Sequence, residues 1–195
     1  MGFLFLFSSC TKEETEAGEW DNWQERNEAY FASLADSLNA NPVQWERILS
    51  YSQSAATYHD TDKYIYVKKL EEGNGTESPA YTDSVRIIYQ GRLIPSTTFT
   101  EGYVFDGTVY GKFTSATSST SRMLVSGTVE GFSTALQHMH CGDHWRVYIP
   151  SALGYGEDGS SSGTIPGYSV IIFELQLIDF SPAGEVMPAW SSRKK

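Results

Sequence analysis

Near the start of the chain, mostly apolar residues recur at helical spacing. They stand largely three or four residues apart and mark one side of a predicted α-helix: Trp20, Trp23, Asn27, Tyr30, Phe31, Leu34 and Leu38. The sequence NANP at 39–42 ends this helix, because the residue before a proline avoids the helical conformation. We expect a second short helix over residues 43–51, followed by a polar connection.

From position 64 the hydrophobic period changes to alternation. Segments beginning at Tyr64, Val85, Trp145 and Phe173 read as strands, and in the last three apolar residues alternate with polar ones. This alternation is typical of antiparallel strands that have one face on a core and the other toward solvent. Within the second segment, Ile88 interrupts the polar face.

One further helix is predicted between these strands. Four apolar residues recur at spacings of three, four and three and share one helix face: Val129, Phe132, Leu136 and Met139. Gly142 gives this helix a C-terminal stop. The elements together predict an α+β fold, in which a strongly bent antiparallel β-sheet wraps on one short α-helix and follows an N-terminal helical extension.

The charge of the chain excludes one class of partner. Among 195 residues, 24 are acidic and 14 are basic, which gives a formal net charge of −10. Nucleic acids are bound by basic surfaces, so we expect no nucleic-acid partner, and strongly anionic substrates are disfavoured for the same reason. The length suits one sizeable domain with extensions.

The first ten residues, MGFLFLFSSC, form an apolar run that is too short to span a bilayer as a helix. The run resembles the end of a bacterial lipoprotein signal, with LFSSC in the place of the lipobox. That resemblance implies that Cys10 becomes the N-terminus and carries a lipid, which would anchor the protein in the cell envelope, at the periplasmic or surface face of the outer membrane. The alternative is a disordered apolar start.

The sequence GYGEDG at 154–159 matches the G-x-G-x-x-G fingerprint of dinucleotide-binding turns. Such a turn must follow a strand and open a helix, so that the pyrophosphate meets the helix N-terminus. Here a serine- and glycine-rich run follows, and then a strand. The nucleotide interpretation is therefore rejected, and the segment is a long loop between two strands.

This loop belongs to a longer series of motifs. In chain order they are VRIIYQG at 85–91, VFDG at 104–107, MLVSGTVEGF at 123–132, YIP at 148–150, LGYG at 153–156, GTIP at 163–166 and VIIFELQL at 170–177. Together, and in this register, they resemble the FKBP-type peptidyl-prolyl cis-trans isomerases, in the form of a bacterial envelope lipoprotein. The resemblance extends from about Tyr64 to Phe180.

The resemblance implies a division of the chain and an activity. The division is a signal remnant at 1–9, a tether at 10–19, a helical extension at 20–59, an isomerase domain at 60–180 and a tail at 181–195. The implied activity is rotation of X-Pro bonds in proline-containing polypeptides, in support of protein folding and without cofactor or metal. Macrolide inhibitors are a further implied ligand.

Position-by-position matching to the family also implies the site. The implied catalytic residues are Tyr89, Phe105, Asp106, Val129, Phe132 and Tyr155, and the implied substrate-binding residues are Thr128, Ile165 and Phe173. Phe132 stands at the pocket floor, where most members have tryptophan, and Thr128 replaces an apolar residue. The Tyr155 hydroxyl and the Val129 N–H are the implied donors to substrate carbonyls.

Three alternatives stay open at this stage. The same fold could serve as a non-catalytic chaperone or binding lipoprotein, which the phenylalanine at 132 and the aromatic helix would suit. The run HMHCGDH at 138–144 contains metal-ligand types, but a metal site is disfavoured because the residues straddle a helix end and a strand. The apolar side of the N-terminal helix could form a dimer through residues 20–51, or it could pack on its own domain.

Overall fold

The computed structural model describes residues 18–53, 61–109, 111–114 and 118–187. The predicted signal remnant, Cys10, most of the tether and the end of the tail lie outside these residues. Within the described ranges, no helix combines the length and the apolar character that crossing a bilayer requires.

The first helix, α1 (Trp23–Ala40), forms close to where the aromatic spacing predicts it, but it begins after Trp20, which lies in an exposed turn. Asn22 precedes it in the left-handed conformation, and its carbonyl accepts the first helical hydrogen bond from the Arg26 N–H at 2.9 Å. At the other end, the Asn41 N–H donates to the Ser37 carbonyl at 3.1 Å. The proline that follows cannot continue the helix.

The predicted second helix over residues 43–51 is wrong, because Trp45–Leu49 form a strand, β1. It pairs antiparallel with β2 (Tyr64–Glu71), with Trp45 opposite Lys68. A segment of five residues is too short to hold a helix by local preference, and the cross-strand pairing decides its conformation. The sheet therefore begins inside the range that the sequence predicts as a helical extension.

Five more strands complete the sheet: β3 (Ser84–Leu93), β4 (Val104–Gly107), β5 (Ser121–Leu124), β6 (His144–Ile149) and β7 (Ile171–Ser181). The strand order is β1-β2-β6-β7-β3-β4, and β5 also pairs with β3. All of these pairings are antiparallel. The predicted α+β class and antiparallel sheet are confirmed.

The short helix α2 (Glu130–Leu136) packs on one face of the sheet, which we call the inner face. The approach is closest at Gly131, where an added Cβ would lie 2.4 Å from a side-chain carbon of Ile149 and 3.1 Å from one of Ile65. Only glycine allows this contact, and it brings the buried ring of Phe132 against the sheet.

Helix α1 covers the opposite face of the sheet, the outer face. Tyr66 points to this face by strand alternation, and its ring centroid lies 5.2 Å from that of Phe31. The buried Asn27 side chain fixes the helix, because its Oδ1 accepts the Val170 N–H at 2.8 Å. The apolar side of α1 therefore packs on its own domain. This is the arrangement that the sequence left open beside a dimer contact through residues 20–51.

Strand β3 is buried on both faces, whereas its sequence predicts a solvent-facing side. Arg86 and Gln90 point to the outer face but are only 4% and 3% exposed. The chain after β4 lies over Gln90, whose Nε2 donates to the Val109 carbonyl at 2.8 Å. Arg86 lies 3.7 Å from the Asp179 carboxylate. These polar residues are buried by segments outside β3. The alternation of residues within β3 therefore does not predict their burial.

A charged network lies on the outer face of β6 and β7. The Glu174 carboxylate accepts a hydrogen bond from Arg146 Nη2 at 2.7 Å and lies 3.1 Å from His144 Nε2. Burial opposes ionisation of this carboxyl, but the hydrogen bonds from His144 and Arg146 outweigh it and lower the pKa of Glu174 to about 2. The ionised form of Glu174 therefore stabilises the folded state.

We predict that Glu174→Gln lowers the free energy of unfolding by about 1–3 kcal/mol near neutral pH, because charge-assisted hydrogen bonds are lost. The pKa of this carboxyl is depressed on folding from 4.5 to about 2, so its contribution is present above pH 4.5 and disappears as the pH falls toward 2. Urea unfolding across this range should show the difference between variant and parent shrinking with acidity.

Glu101→Gln is the matched control, because the exposed Glu101 carboxylate approaches Arg92 only to 4.0 Å. We expect this control to change stability little at any pH. A difference between Glu174→Gln and the parent that stays constant down to pH 2 would contradict the assignment.

Candidate functional site

A cleft of about 450 Å³ opens between the start of α2, strands β3, β4, β5 and β7, and the loop after β6. Its lining combines aromatic rings, small residues and one carboxylate: Tyr89, Asp106, Met123, Gly127, Thr128, Val129, Phe132, Tyr155 and Phe173.

The floor of the cleft is made of aromatic rings packed edge to face. Phe132 of α2 and Phe173 of β7 lie with ring centroids 4.7 Å apart at an interplanar angle of 79°. Tyr89 of β3 completes the group, with centroids 6.3 Å from Phe132 and 6.2 Å from Phe173. Both phenylalanines are almost fully buried, so the cleft offers a rigid apolar surface at its base.

Phe105 supports this floor from outside the cleft. Its ring centroid lies 5.6 Å from that of Phe173 at 89°. The two rings meet over Gly91, where an added Cβ would lie 2.5 Å from the Phe173 ring and 2.7 Å from the Phe105 ring. Gly91 therefore leaves the space that both rings occupy, and Phe105 acts on the cleft through Phe173.

Asp106 is held in a fixed orientation at the mouth of the cleft. The Tyr89 hydroxyl donates to Asp106 Oδ2 at 2.8 Å, and the Gly107 N–H donates to Oδ1 at 2.8 Å. Because each carboxylate oxygen has a donor from the protein, the group can orient a neighbouring hydroxyl or a bound ligand without moving itself.

Tyr155 stands on the loop between β6 and β7, at the rim of the cleft. A 3₁₀ turn over Ser151–Leu153 begins this loop, and the Gly156 N–H donates back to the Ser151 carbonyl at 2.8 Å. Burial, with a smaller effect from the charge of Asp106, raises the pKa of the Tyr155 hydroxyl above its ordinary value. The phenol is therefore protonated at physiological pH and is able to donate a hydrogen bond.

The start of α2 supplies a second donor. Val129 is the residue before the first helical turn, and its carbonyl accepts hydrogen bonds from the Phe132 and Ser133 N–H groups, each at 3.0 Å. Its own N–H donates to no residue in the described part of the chain. The neighbouring Thr128 hydroxyl is already engaged, donating to the Val125 carbonyl at 2.8 Å.

The structure brings together seven of the nine residues that the sequence places in the pocket: Tyr89, Asp106, Thr128, Val129, Phe132, Tyr155 and Phe173. Phe105 and Ile165 do not line the cleft. The Ile165 N–H donates to Ser160 Oγ and its carbonyl accepts the Ser160 N–H, both at 2.9 Å, so this residue closes the long loop.

Two residues that line the cleft, Met123 and Gly127, were not predicted from the sequence. Met123 lies on β5, opposite Val85 of β3, and packs against the core. The signal was available, because Met123 lies between the exposed Arg122 and Leu124 at alternating positions, and such alternation indicates an inward-facing residue.

The histidine run at 138–144 does not converge. The His138 Nδ1 lies 2.9 Å from the Thr134 carbonyl, and His144 lies against Glu174 on the outer face. Burial raises the pKa of the Cys141 thiol, which disfavours the thiolate that a metal would need. Among the described residues, no group of three metal-ligand side chains is placed to hold an ion.

The sequence of this chain is similar to those of known proteins. The sequence profile of the FKBP-type peptidyl-prolyl cis-trans isomerases matches residues 75–178. The FKBP-type 22 kDa peptidyl-prolyl cis-trans isomerase of Escherichia coli is 33% identical over 121 residues, covering 62% of this chain and 52% of that protein. The outer membrane protein MIP of Legionella longbeachae is 29% identical over 152 residues, covering 78% of this chain and 59% of that protein.

A solved structure shows the same fold. The peptidyl-prolyl cis-trans isomerase of Pseudomonas syringae pv. tomato aligns with a TM-score of 0.58 at 22% identity, covering 85% of this chain and 98% of that one. Of the two curated relatives, this chain spans about half of the Escherichia coli protein and about three-fifths of the Legionella longbeachae protein.

We predict that Gly91→Ala lowers the free energy of unfolding by about 1–3 kcal/mol, because the new methyl group displaces the rings of Phe105 and Phe173. Urea unfolding measures the loss, and near-ultraviolet circular dichroism should report the disturbed aromatic packing. Gly127→Ala is the matched control, since its added Cβ would find its nearest neighbour at an ordinary 3.8 Å. Equal stabilities of the two variants would show that the close approach at Gly91 is not required.

Proposed function

Because the chain belongs to the FKBP-type peptidyl-prolyl cis-trans isomerase family, we propose that it catalyses rotation about X-Pro bonds in polypeptides and so assists protein folding. The observation that carries this proposal is the composition of the cleft. An aromatic floor is rimmed by two hydrogen-bond donors, the Val129 N–H and the Tyr155 hydroxyl, and by one oriented carboxylate, Asp106.

The reaction requires a lower rotational barrier and no change in covalent bonds. A peptide bond resists rotation by ~18–20 kcal/mol, because its C–N bond has partial double-bond character. Rotation about X-Pro bonds takes on the order of 10–100 s without a catalyst. The twisted amide is less dipolar than the planar one, so an apolar surface destabilises it less than it destabilises the planar form. No nucleophile, cofactor or metal is needed for this step.

The residues of the cleft suit this step. A pyrrolidine ring bound against Phe132 and Phe173 would leave water, which favours the less dipolar twisted bond. The Val129 N–H would then donate to a substrate carbonyl. The protonated Tyr155 would donate to a second carbonyl, and both bonds would hold the flanking chain while the amide rotates.

Removing one donor tests the role of Tyr155. We predict that Tyr155→Phe lowers kcat/KM for a proline-containing peptide about two- to tenfold, which corresponds to one lost hydrogen bond. Tyr103→Phe is the matched control and should leave the rate unchanged, because Tyr103 is equally exposed, at 37%, and does not line the cleft. The rate is measured in a protease-coupled assay or by exchange spectroscopy.

If the purified protein accelerates no proline peptide, the catalytic proposal fails. Suppression of client aggregation that persists in Phe132→Ala, which removes part of the cleft floor, would then favour the non-catalytic chaperone or binding lipoprotein. Inhibition of the isomerase activity by a macrolide would support the catalytic proposal, since such a ligand would compete with the peptide for the same cleft.

We further propose that the protein is a lipoprotein of the cell envelope. The LFSSC sequence before Thr11 supports a lipid on Cys10, and one relative carries the name outer membrane protein. In cells supplied with a labelled fatty acid, the full chain should acquire the label and sediment with membranes, whereas Cys10→Ala should do neither. Labelling that persists in Cys10→Ala would contradict the anchor.

A dimer through residues 20–51 is not part of the proposal, because the apolar side of α1 already packs on its own sheet. Light scattering of the chain tests this choice. A dimer mass that reverts to a monomer when exposed residues of α1 are changed would restore the dimer interpretation.

A further inference from the structure

A second groove adjoins the cleft, with a volume of about 420 Å³. It runs along α2 toward the end of β1, and it is lined mainly by hydroxyl-bearing residues: Ser50, Tyr51, Ser52, Tyr81, Thr128, Glu130, Ser133, Thr134 and Gln137. Thr128 lines both the cleft and this groove, so the two are continuous at that residue.

The groove contains one carboxylate, Glu130, in the first turn of α2. It accepts hydrogen bonds from the Ser50 hydroxyl at 2.5 Å and from the Ser52 hydroxyl. The buried Thr134 hydroxyl donates to Ser50 Oγ at 3.3 Å and so supports this arrangement from beneath. Within the described residues, no lysine, arginine or histidine forms an ion pair with Glu130.

Two tyrosines with large exposed surfaces line the same groove as Glu130. Tyr51 is 60% exposed and stacks on His138, with ring centroids 4.8 Å apart, which fixes the plane of its ring. Tyr81 is 55% exposed. Aromatic rings in one groove with a carboxylate that has no cationic partner among the described residues suit the aliphatic stem and the charged end of a lysine or arginine side chain.

We propose that this groove is a subsite for the substrate polypeptide, in which Glu130 binds a basic side chain located two to four residues from the proline. The inference rests on the proposed function. A polypeptide whose proline lies against Phe132 must leave the cleft across its rim, and the rim at Thr128 leads directly into the groove. At ~3.3 Å per residue, two to four residues of extended chain span about 7–13 Å.

Charge favours this occupant over other ligands. The whole chain carries a net charge of −10, so it attracts basic polypeptide segments and repels anionic ones. The carboxylate is also preorganised, because the two serine hydroxyls hold it in place before a ligand arrives.

The test uses pairs of peptides that share one X-Pro core and differ only in carrying lysine or glutamine at one position. That position is varied from two to four residues from the proline on each side. The parent protein should show a kcat/KM about two- to fivefold higher for lysine than for glutamine on one side of the proline, a size typical of a partly exposed ion pair. The preference should shrink as ionic strength rises.

Glu130→Gln should bring the lysine-to-glutamine ratio to about one. Glu25→Gln is the matched control, because it removes the same charge from the first turn of the other helix, on the outer face of the sheet. This control should keep both the parent rate and the parent ratio.

The outcomes separate the subsite from the activity. An active protein whose ratio is about one at every position, or whose ratio is unchanged in Glu130→Gln, would overturn the subsite and leave the isomerase proposal standing. Absence of activity on every peptide would overturn the proposed function, and the subsite with it.

Discussion

The close contact between α2 and the sheet at Gly131 is the constraint on which the cleft depends. A side chain at this position would collide with Ile149, so glycine alone lets the helix settle against the inner face. That position sets Phe132 against Phe173. It also places the start of α2 at the rim, where the Val129 N–H donates to none of the described residues. A second close approach, at Gly91, lets Phe105 and Phe173 meet and holds the floor from behind.

The fold was largely readable from the sequence, because each main element follows one period. Alternation identified the long strands, and spacing of three and four identified α1 and α2. The strand β1 was missed, since five residues carry little local preference and take their conformation from pairing with β2. The buried polar face of β3 was also missed, because the segment that covers Gln90 lies beyond β4 and leaves no mark on the strand itself.

The site was predictable only as a set of matched positions. Matching the motifs to the family identified most of the lining residues. It could not distinguish residues that face the cleft from residues that support it. Phe105 and Ile165 differ from Tyr155 in where neighbouring loops place them, which depends on contacts such as those of Ser160 with Ile165. The second groove was invisible in the sequence, because Ser50 and Glu130 meet across 80 residues.

The central claim is that a proline held against Phe132 and Phe173 rotates faster than a proline in water. Exchange spectroscopy on a labelled X-Pro peptide, combined with intermolecular nuclear Overhauser contacts, tests both parts in one sample. The account predicts cis–trans exchange that accelerates with protein concentration, together with contacts from the pyrrolidine ring to these two aromatic rings. Unchanged exchange, or accelerated exchange with the pyrrolidine in contact elsewhere on the protein, would contradict it.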